Sequence, residues 1–145
     1  MKLSITEDPN AIEPEVSVRC ARIDARVQRV IAAAQQEERK LVGVADGFVR
    51  SADPADVLYV ETVDGRTFLY TRECVLESAV PASVLEEELA AAGFVRASRQ
   101  LLVNLRHVQG MRPYLNARLE LVLDNGEHLI ASRQFAPQIK QRIGL

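Results

Sequence analysis

Residues 94–111, FVRASRQLLVNLRHVQGM, interleave hydrogen-bond donors with apolar side chains in a way that a core does not require. Phe94 and Val95 begin a strand-like run. Arg96, Ser98, Arg99 and Gln100 interrupt it with donors, and Leu101, Leu102, Val103 and Leu105 re-enter an apolar pattern. A second donor group, Ser132, Arg133 and Gln134, stands ahead of a helix signal. Arg133 has no helix-dipole reason to be there, since cations are disfavoured at a helix start, so its position favours an anionic ligand. A solvated loop also accounts for the first group, because charged side chains in connections are ordinary.

Other chemistry has little footing. The chain shows no nucleophile elbow, paired acid and base, Gly-rich phosphate loop or metal-ligand spacing, so no catalytic residue, cofactor, metal or small-molecule substrate is expected. Cys20 and Cys74 are lone thiols and read as reduced small residues, while His107 and His128 lack partnered spacing and read as structural or surface residues. Glu86, Glu87 and Glu88 point in different directions around a helix and converge on nothing.

The 145 residues, 48% hydrophobic and 26% charged, suit one soluble globular domain with a small extension. No apolar run approaches the ~20 residues of a membrane helix, and no signal peptide follows Lys2, which places the chain in the cytoplasm. The net charge of −2 argues against a polyanion until its distribution is examined. Residues 96–145 carry eight basic and three acidic side chains, or +5, and residues 1–95 carry ten and seventeen, or −7. A basic end on an acidic protein binds a polyanion locally.

Period-two alternation predicts strands at residues 2–6 and 15–20. Asp24 caps a helix with Val27, Val30, Ile31 and Ala34 on one face and Arg26, Arg29 and Gln36 opposite, running to about Glu38. Strands follow at 40–46 and 48–51 around Asp46-Gly47, at 57–63 after Asp53-Pro54-Ala55-Asp56, at 66–71 across Asp64-Gly65, and at 75–78. Pro81 opens a helix with Leu85, Leu89 and Ala92 inward and Gly93 as its stop. Further strands at 108–113 and 118–124 meet at residues 114–117. Asn125-Gly126, taken as a two-residue turn, sets Leu121 opposite Ile130 and Val122 opposite Leu129, with His128 beside Leu123. Ser132 is expected to cap a last helix with Pro137 early and Ile139 and Ile143 inward. The expectation is a mainly β protein with a few helices. A small ββα extension, residues 1–46, precedes a domain of short antiparallel sheets, residues 47–145.

The string FVRASRQLLVN, followed by HVQGMRPYLNARLELVLDNGEHLIASRQFAPQIKQRI, resembles the LytTR DNA-binding domain, the output domain of many bacterial response regulators and of stand-alone regulators. Phe94-x-Arg96, Leu102-Val103-Asn104, Asn125-Gly126 and Ser132-Arg133 before a basic helix fall in family order, and the likeness reaches back to about Gly47. Ser98 stands where many members carry His, Gln100 where Ser is usual and Leu101 where an aromatic is common, which bears on sequence preference. Asn116-Ala117 replaces a usual Asn-Gly. Alanine tolerates positive φ poorly, so that turn is expected to be looser or of another type. The first 46 residues are too few for a receiver domain, so a stand-alone regulator is expected.

The resemblance implies a sequence-specific double-stranded DNA-binding transcription regulator that reads DNA through loops. Carried over residue by residue, these are the hairpin tip at Arg66 and Thr67, the corner at Ser98, Arg99 and Gln100, and the junction at Arg133 and Gln134. Arg can give two hydrogen bonds to guanine and Gln can pair with adenine, while Ser98, Ser132, Asn104 and Lys140 suit phosphates. Arg96 reads instead as a strand residue paired with a carboxylate, and Asn104 has a second reading, satisfying backbone groups at its turn. Family sites are commonly paired repeats. This implies a homodimer, with residues 1–46 as a packing or dimerisation element, and stand-alone members imply control by a co-encoded membrane protein. The rival expectation is a β-rich protein-interaction or regulatory module without nucleic acid, which the acidic front half favours.

Overall fold

A computed structural model describes residues 1–36 and 40–144 of the chain. Among them, seven strands form one antiparallel sheet: β1 (Leu41–Ala45), β2 (Phe48–Ala52), β3 (Val57–Val63), β4 (Arg66–Thr71), β5 (Val75–Ser78), β6 (Phe94–Ser98) and β7 (Leu101–Asn104), in the order β2-β1-β5-β4-β3-β7-β6. A second sheet, ordered β10-β9-β8, holds β8 (Val108–Tyr114), β9 (Arg118–Leu123) and β10 (His128–Ala131). Three helices complete it: α1 (Ala25–Gln36), α2 (Ala82–Glu88) and α3 (Ala136–Arg142).

Local chemistry explains most of these elements. Asp46-Gly47 and Asp64-Gly65 close their hairpins with both residues at positive φ, the two-residue turn whose twist matches paired strands. Gly93, at φ 99, ends the short 3-10 turn that follows α2. The Asp24 carboxylate accepts the Val27 N–H at 3.0 Å and caps α1, whose Val27 is buried while Val30, Ile31 and Ala34 are half-buried.

β3 is buried on both faces, as its unbroken apolar run predicts. On one side Val57, Val60, Leu69, Leu76, Phe94 and Leu102 pack with Ala82, Leu85 and Leu89 of the α2 segment. On the other, Tyr59, Val95, Leu101 and Val103 pack with Leu119, Leu121 and Leu123 of the second sheet and Ile139 of α3. Burial of each such side chain is worth about 1.5 to 3 kcal/mol, so the two layers hold the strand ends in fixed relation.

Several expectations need correction. Residues 2–6 and 15–20 form no strand, because alternation makes a strand only against a partner; Leu3 and Ile5 stand 83% and 80% exposed. The boundary expected after residue 46 falls in the β1–β2 turn, and β1 pairs with β2 and, through Val44 opposite Glu77, with β5. The end of the first helix at Glu38 lies outside the described residues.

The β9–β10 register is displaced by one. Leu129 lies opposite Leu121 and His128 opposite Val122, because the turn takes three residues, with Leu123 N–H on the Glu127 carbonyl and Gly126, at φ 90, in the left-handed region. Asp124 is drawn out of the ladder by the His107 carbonyl, which accepts its N–H at 2.8 Å.

Ser132 does not cap α3 with its side chain. Its carbonyl accepts the N–H groups of Phe135 and Ala136 in a turn, and the helix starts at Ala136, where Pro137 falls in the first turn and loses no hydrogen bond. Ile139 is fully buried, but Ile143 is 41% exposed.

Candidate nucleic-acid interface

The site is organised by a slip in the β6–β7 ladder. Arg96 opposes Leu102 and Ser98 opposes Leu101, so Ala97 is a bulge residue. Its carbonyl accepts the N–H of Ser132 at 2.8 Å, which ties the turn after β10 to the corner at residues 99–100. On the other side of that corner, Thr62 N–H donates to the Gln100 carbonyl at 2.8 Å, next to the Asp64-Gly65 tip. The three sequence-predicted loops therefore lie side by side at one end of the sheets.

Arg96 shapes the corner, in keeping with its expected carboxylate partner. Its Nε donates to Glu86 Oε2 at 2.9 Å, and its Nη1 donates to the Arg99 carbonyl at 2.8 Å. The Ser98 hydroxyl accepts the Gln100 N–H at 3.3 Å. With the backbone held this way, Arg99 and Gln100 are exposed, as are Arg133 and Gln134 in the next turn. Neither Arg99, Arg133 nor Lys140 has an acid partner among the described residues. Lys140 sits on the exposed side of α3, which runs from this end until Arg142 donates to the Ala90 carbonyl at 3.3 Å.

The remaining predicted contacts are placed differently. Arg66 is at the right end but gives two hydrogen bonds to Glu77, at 2.8 and 2.5 Å, and lies 5.5 Å from the Phe68 ring. That carboxylate is held below its usual range by Arg66, so the pair is already neutral. Thr67 is 6% exposed because its position in the ladder turns it inward opposite Ser78. Asn104 is fully buried at the far end of β7; its amide donates to the carbonyls of Val57 (3.0 Å) and Pro54 (3.5 Å) and its oxygen accepts the Arg106 N–H at 3.1 Å. The backbone-satisfying reading of Asn104 is the one the geometry matches.

That far end is closed by further internal bonds. His107 Nε2 donates to the Ala55 carbonyl at 2.6 Å, and Nδ1 lies 2.9 Å from the Asp124 carboxylate, which also takes a hydrogen bond from Arg72 at 2.6 Å. His107 first, then Arg72, hold the Asp124 carboxyl below the ordinary aspartate range. Tyr59 donates to Glu127 at 2.8 Å, and burial followed by that carboxylate pushes its phenol up. The sequence carries no sign of the Ala97 bulge or of the grip of Arg96 on the Arg99 carbonyl. Both depend on pairings visible only once strands are placed.

Over 86 residues the chain is 28% identical to the sensory transduction protein LytT of Bacillus anthracis, covering 59% of this chain and 35% of that protein. Over 90 residues it is 27% identical to the transcriptional regulatory protein LytR of Staphylococcus aureus, covering 62% and 37%. The chain thus spans little more than a third of those relatives' length. A solved LytTr DNA-binding domain from Bacillus cereus superposes with a TM-score of 0.71 at 21% identity, covering 74% of this chain and 99% of that one, which shows the shared fold. The family model of the LytTr DNA-binding domain matches residues 49–144, the span that contains all three predicted loops, and the chain belongs to that family.

Proposed function

We propose that this chain is a sequence-specific double-stranded DNA-binding transcription regulator that reads its site through the loops at residues 99–100 and 132–134. The observation that carries the reading is the side-by-side placement of Arg99, Gln100, Arg133 and Gln134, exposed and without acid partners among the described residues, at one end of a rigid β assembly. Arg and Gln are suited to base edges in the major groove. Ser98, Ser132 and Lys140 suit phosphates, which fix register without reading sequence. Arg66 joins the contact only by exchanging Glu77 for DNA, and Thr67 and Asn104 are left out of the set.

Residues 1–46 serve the pairing of two copies on a repeated site. Support comes from Leu3, Ile5 and Val16, exposed at 83%, 80% and 66%, which a second copy would cover. The working form is a cytoplasmic homodimer under the control of a co-encoded membrane protein. Among the described residues, no helix is long and apolar enough to cross a membrane. Selection of bound duplexes from a random DNA pool tests the function. Enrichment of a paired repeat is the expected result, and no enrichment at low salt overturns the reading.

A further inference from the structure

The β8–β9 hairpin tip reaches the same end of the molecule. Leu119 pairs with Ala131, so Arg118, one residue earlier, lies beside Ser132, whose N–H is held by Ala97. The tips at residues 64–65, 99–100, 132–135 and 115–117 thus form one row, each joined to the next by a strand pairing or a backbone bond.

This fourth tip differs in chemistry from three of the other hairpin turns. Those carry Asp46-Gly47, Asp64-Gly65 and Asp124-Asn125-Gly126, which are acidic and small, whereas this one reads Tyr114-Leu115-Asn116-Ala117-Arg118 and holds no acid. Leu115 is 70% exposed and Tyr114 40%. The Arg118 guanidinium lies 4.9 Å from the centre of the Tyr114 ring, and its Nε donates to the Leu115 carbonyl at 3.0 Å. Those contacts hold its stem, and no carboxylate among the described residues neutralises it. A pre-positioned cation beside exposed apolar side chains, on a row of cationic loops, matches the backbone and sugar edge of a duplex.

We infer that the Tyr114–Arg118 tip is a fourth DNA-contacting loop, with Arg118 on a backbone phosphate and Leu115 against the sugars that flank the bases read from residues 132–134. This rests on the DNA reading above. Neighbouring strands lie ~4.8 Å apart. The tip therefore meets the duplex about two or three base pairs beyond Arg133, at ~3.4 Å per base pair.

The test uses the full chain and the duplex recovered by selection, with binding followed by anisotropy across a salt series and thermal melts of every variant. Leu115→Glu is expected to weaken binding about tenfold or more on specific and scrambled duplexes alike, because it sets a carboxylate against phosphate. Gln109→Glu, the same charge change on an exposed residue toward the other end of β8, is expected to change affinity less than about twofold. Arg118→Ala is expected to reduce the slope of log affinity against log salt by about one unit. If the unaltered chain binds and both tip variants match it in affinity and slope, the tip is off the DNA and the inference fails. If the unaltered chain binds no duplex, the DNA reading itself fails and this inference with it. Should Arg118→Ala lower the melting point, Leu115→Glu decides, since its side chain is exposed and supports no packing.

Discussion

The two ends of the sheets use the same residue types to opposite effect. At the Asn104 end, Asn, His, Arg and Asp are taken up by partners within the molecule: Asn104 by the carbonyls of Val57 and Pro54, His107 by Ala55 and Asp124, and Arg72 by Asp124. At the Ser98 end, Arg99 and Arg133 stand exposed and Arg118 half-buried, none with an acid partner among the described residues. A satisfied buried amide matters through what its loss leaves unpaired, about 1 to 3 kcal/mol per group. An exposed guanidinium contributes little to folding and keeps its donors for a ligand. Function is therefore read here from donors left over after the fold has satisfied itself, and residue type alone does not separate Asn104 from Arg99, five positions away.

The largest effect that tests the contrast is expected from Asn104→Ala. It leaves a buried carbonyl and the Arg106 N–H without partners, so urea unfolding should show a loss of about 2 to 3 kcal/mol at unchanged m. The salt slope of DNA binding by the folded protein should stay the same. A stable variant with a reduced salt slope would place Asn104 on a phosphate and break the comparison.

Arg133→Ala is expected to do the reverse. Specific binding should weaken by about 1 to 3 kcal/mol with relaxed preference at one base pair, while the melting point holds. Lys140→Ala should weaken all duplexes alike and reduce the salt slope by about one unit. Equal losses for Arg133→Ala on specific and scrambled duplexes would reduce it to a phosphate contact, and a large fall in melting temperature would make it structural.

Acid should reach stability through the internally bonded carboxylates. Arg112 and then His128 lower Glu120 to about 2, and Asp124 is lowered by His107 and Arg72. Both groups have depressed folded values, so their contribution is complete above the ordinary carboxylate range near ~4 and is lost as pH falls below it, for Glu120 down to about 2. Stability measured from pH 7 to 2 should fall in that window. Glu120→Gln and Asp124→Asn should each be less stable than the parent at pH 7 and show a shallower acid limb. A parallel limb in both variants would mean that other carboxylates set the acid response.

Much of this is legible in the sequence where local chemistry decides. Asp-Gly pairs place the hairpins, the apolar run at residues 57–63 reads as a strand covered on both faces, and the donors at residues 98–100 sit where they are expected. Non-local contacts decide the rest. Ala97 bulges and offers its carbonyl to a residue in another sheet's connection, which no window of sequence shows. Asp124 is drawn to His107 and lengthens its turn by one residue, which shifts a whole register. Residues 2–6 alternate as a strand does and lack a partner. Thr67 illustrates the same limit in the site, since a one-residue change of face separates contact from burial.

The smallest predicted effect concerns strain at the open end. Asn116 and Ala117 both take positive φ, 58 and 59, in the loop that lets Tyr114 pair with Arg118. Asparagine accepts that region, whereas alanine is disfavoured there by about 1 kcal/mol. The loop takes three residues, 115–117, unlike the two-residue Asp-Gly turns, and Ala117 carries the strain. Glycine removes the clash but adds freedom to the unfolded chain, so Ala117→Gly should stabilise by no more than roughly 0.5 kcal/mol. DNA affinity should change less than about twofold, because Arg118 remains held by the Tyr114 ring and the Leu115 carbonyl. The closed end should thus lose stability on substitution while the open end gains it, the pattern expected where backbone strain is tolerated at a site that presents side chains outward. A melting point lowered by Ala117→Gly would show that this turn is not strained and remove that asymmetry.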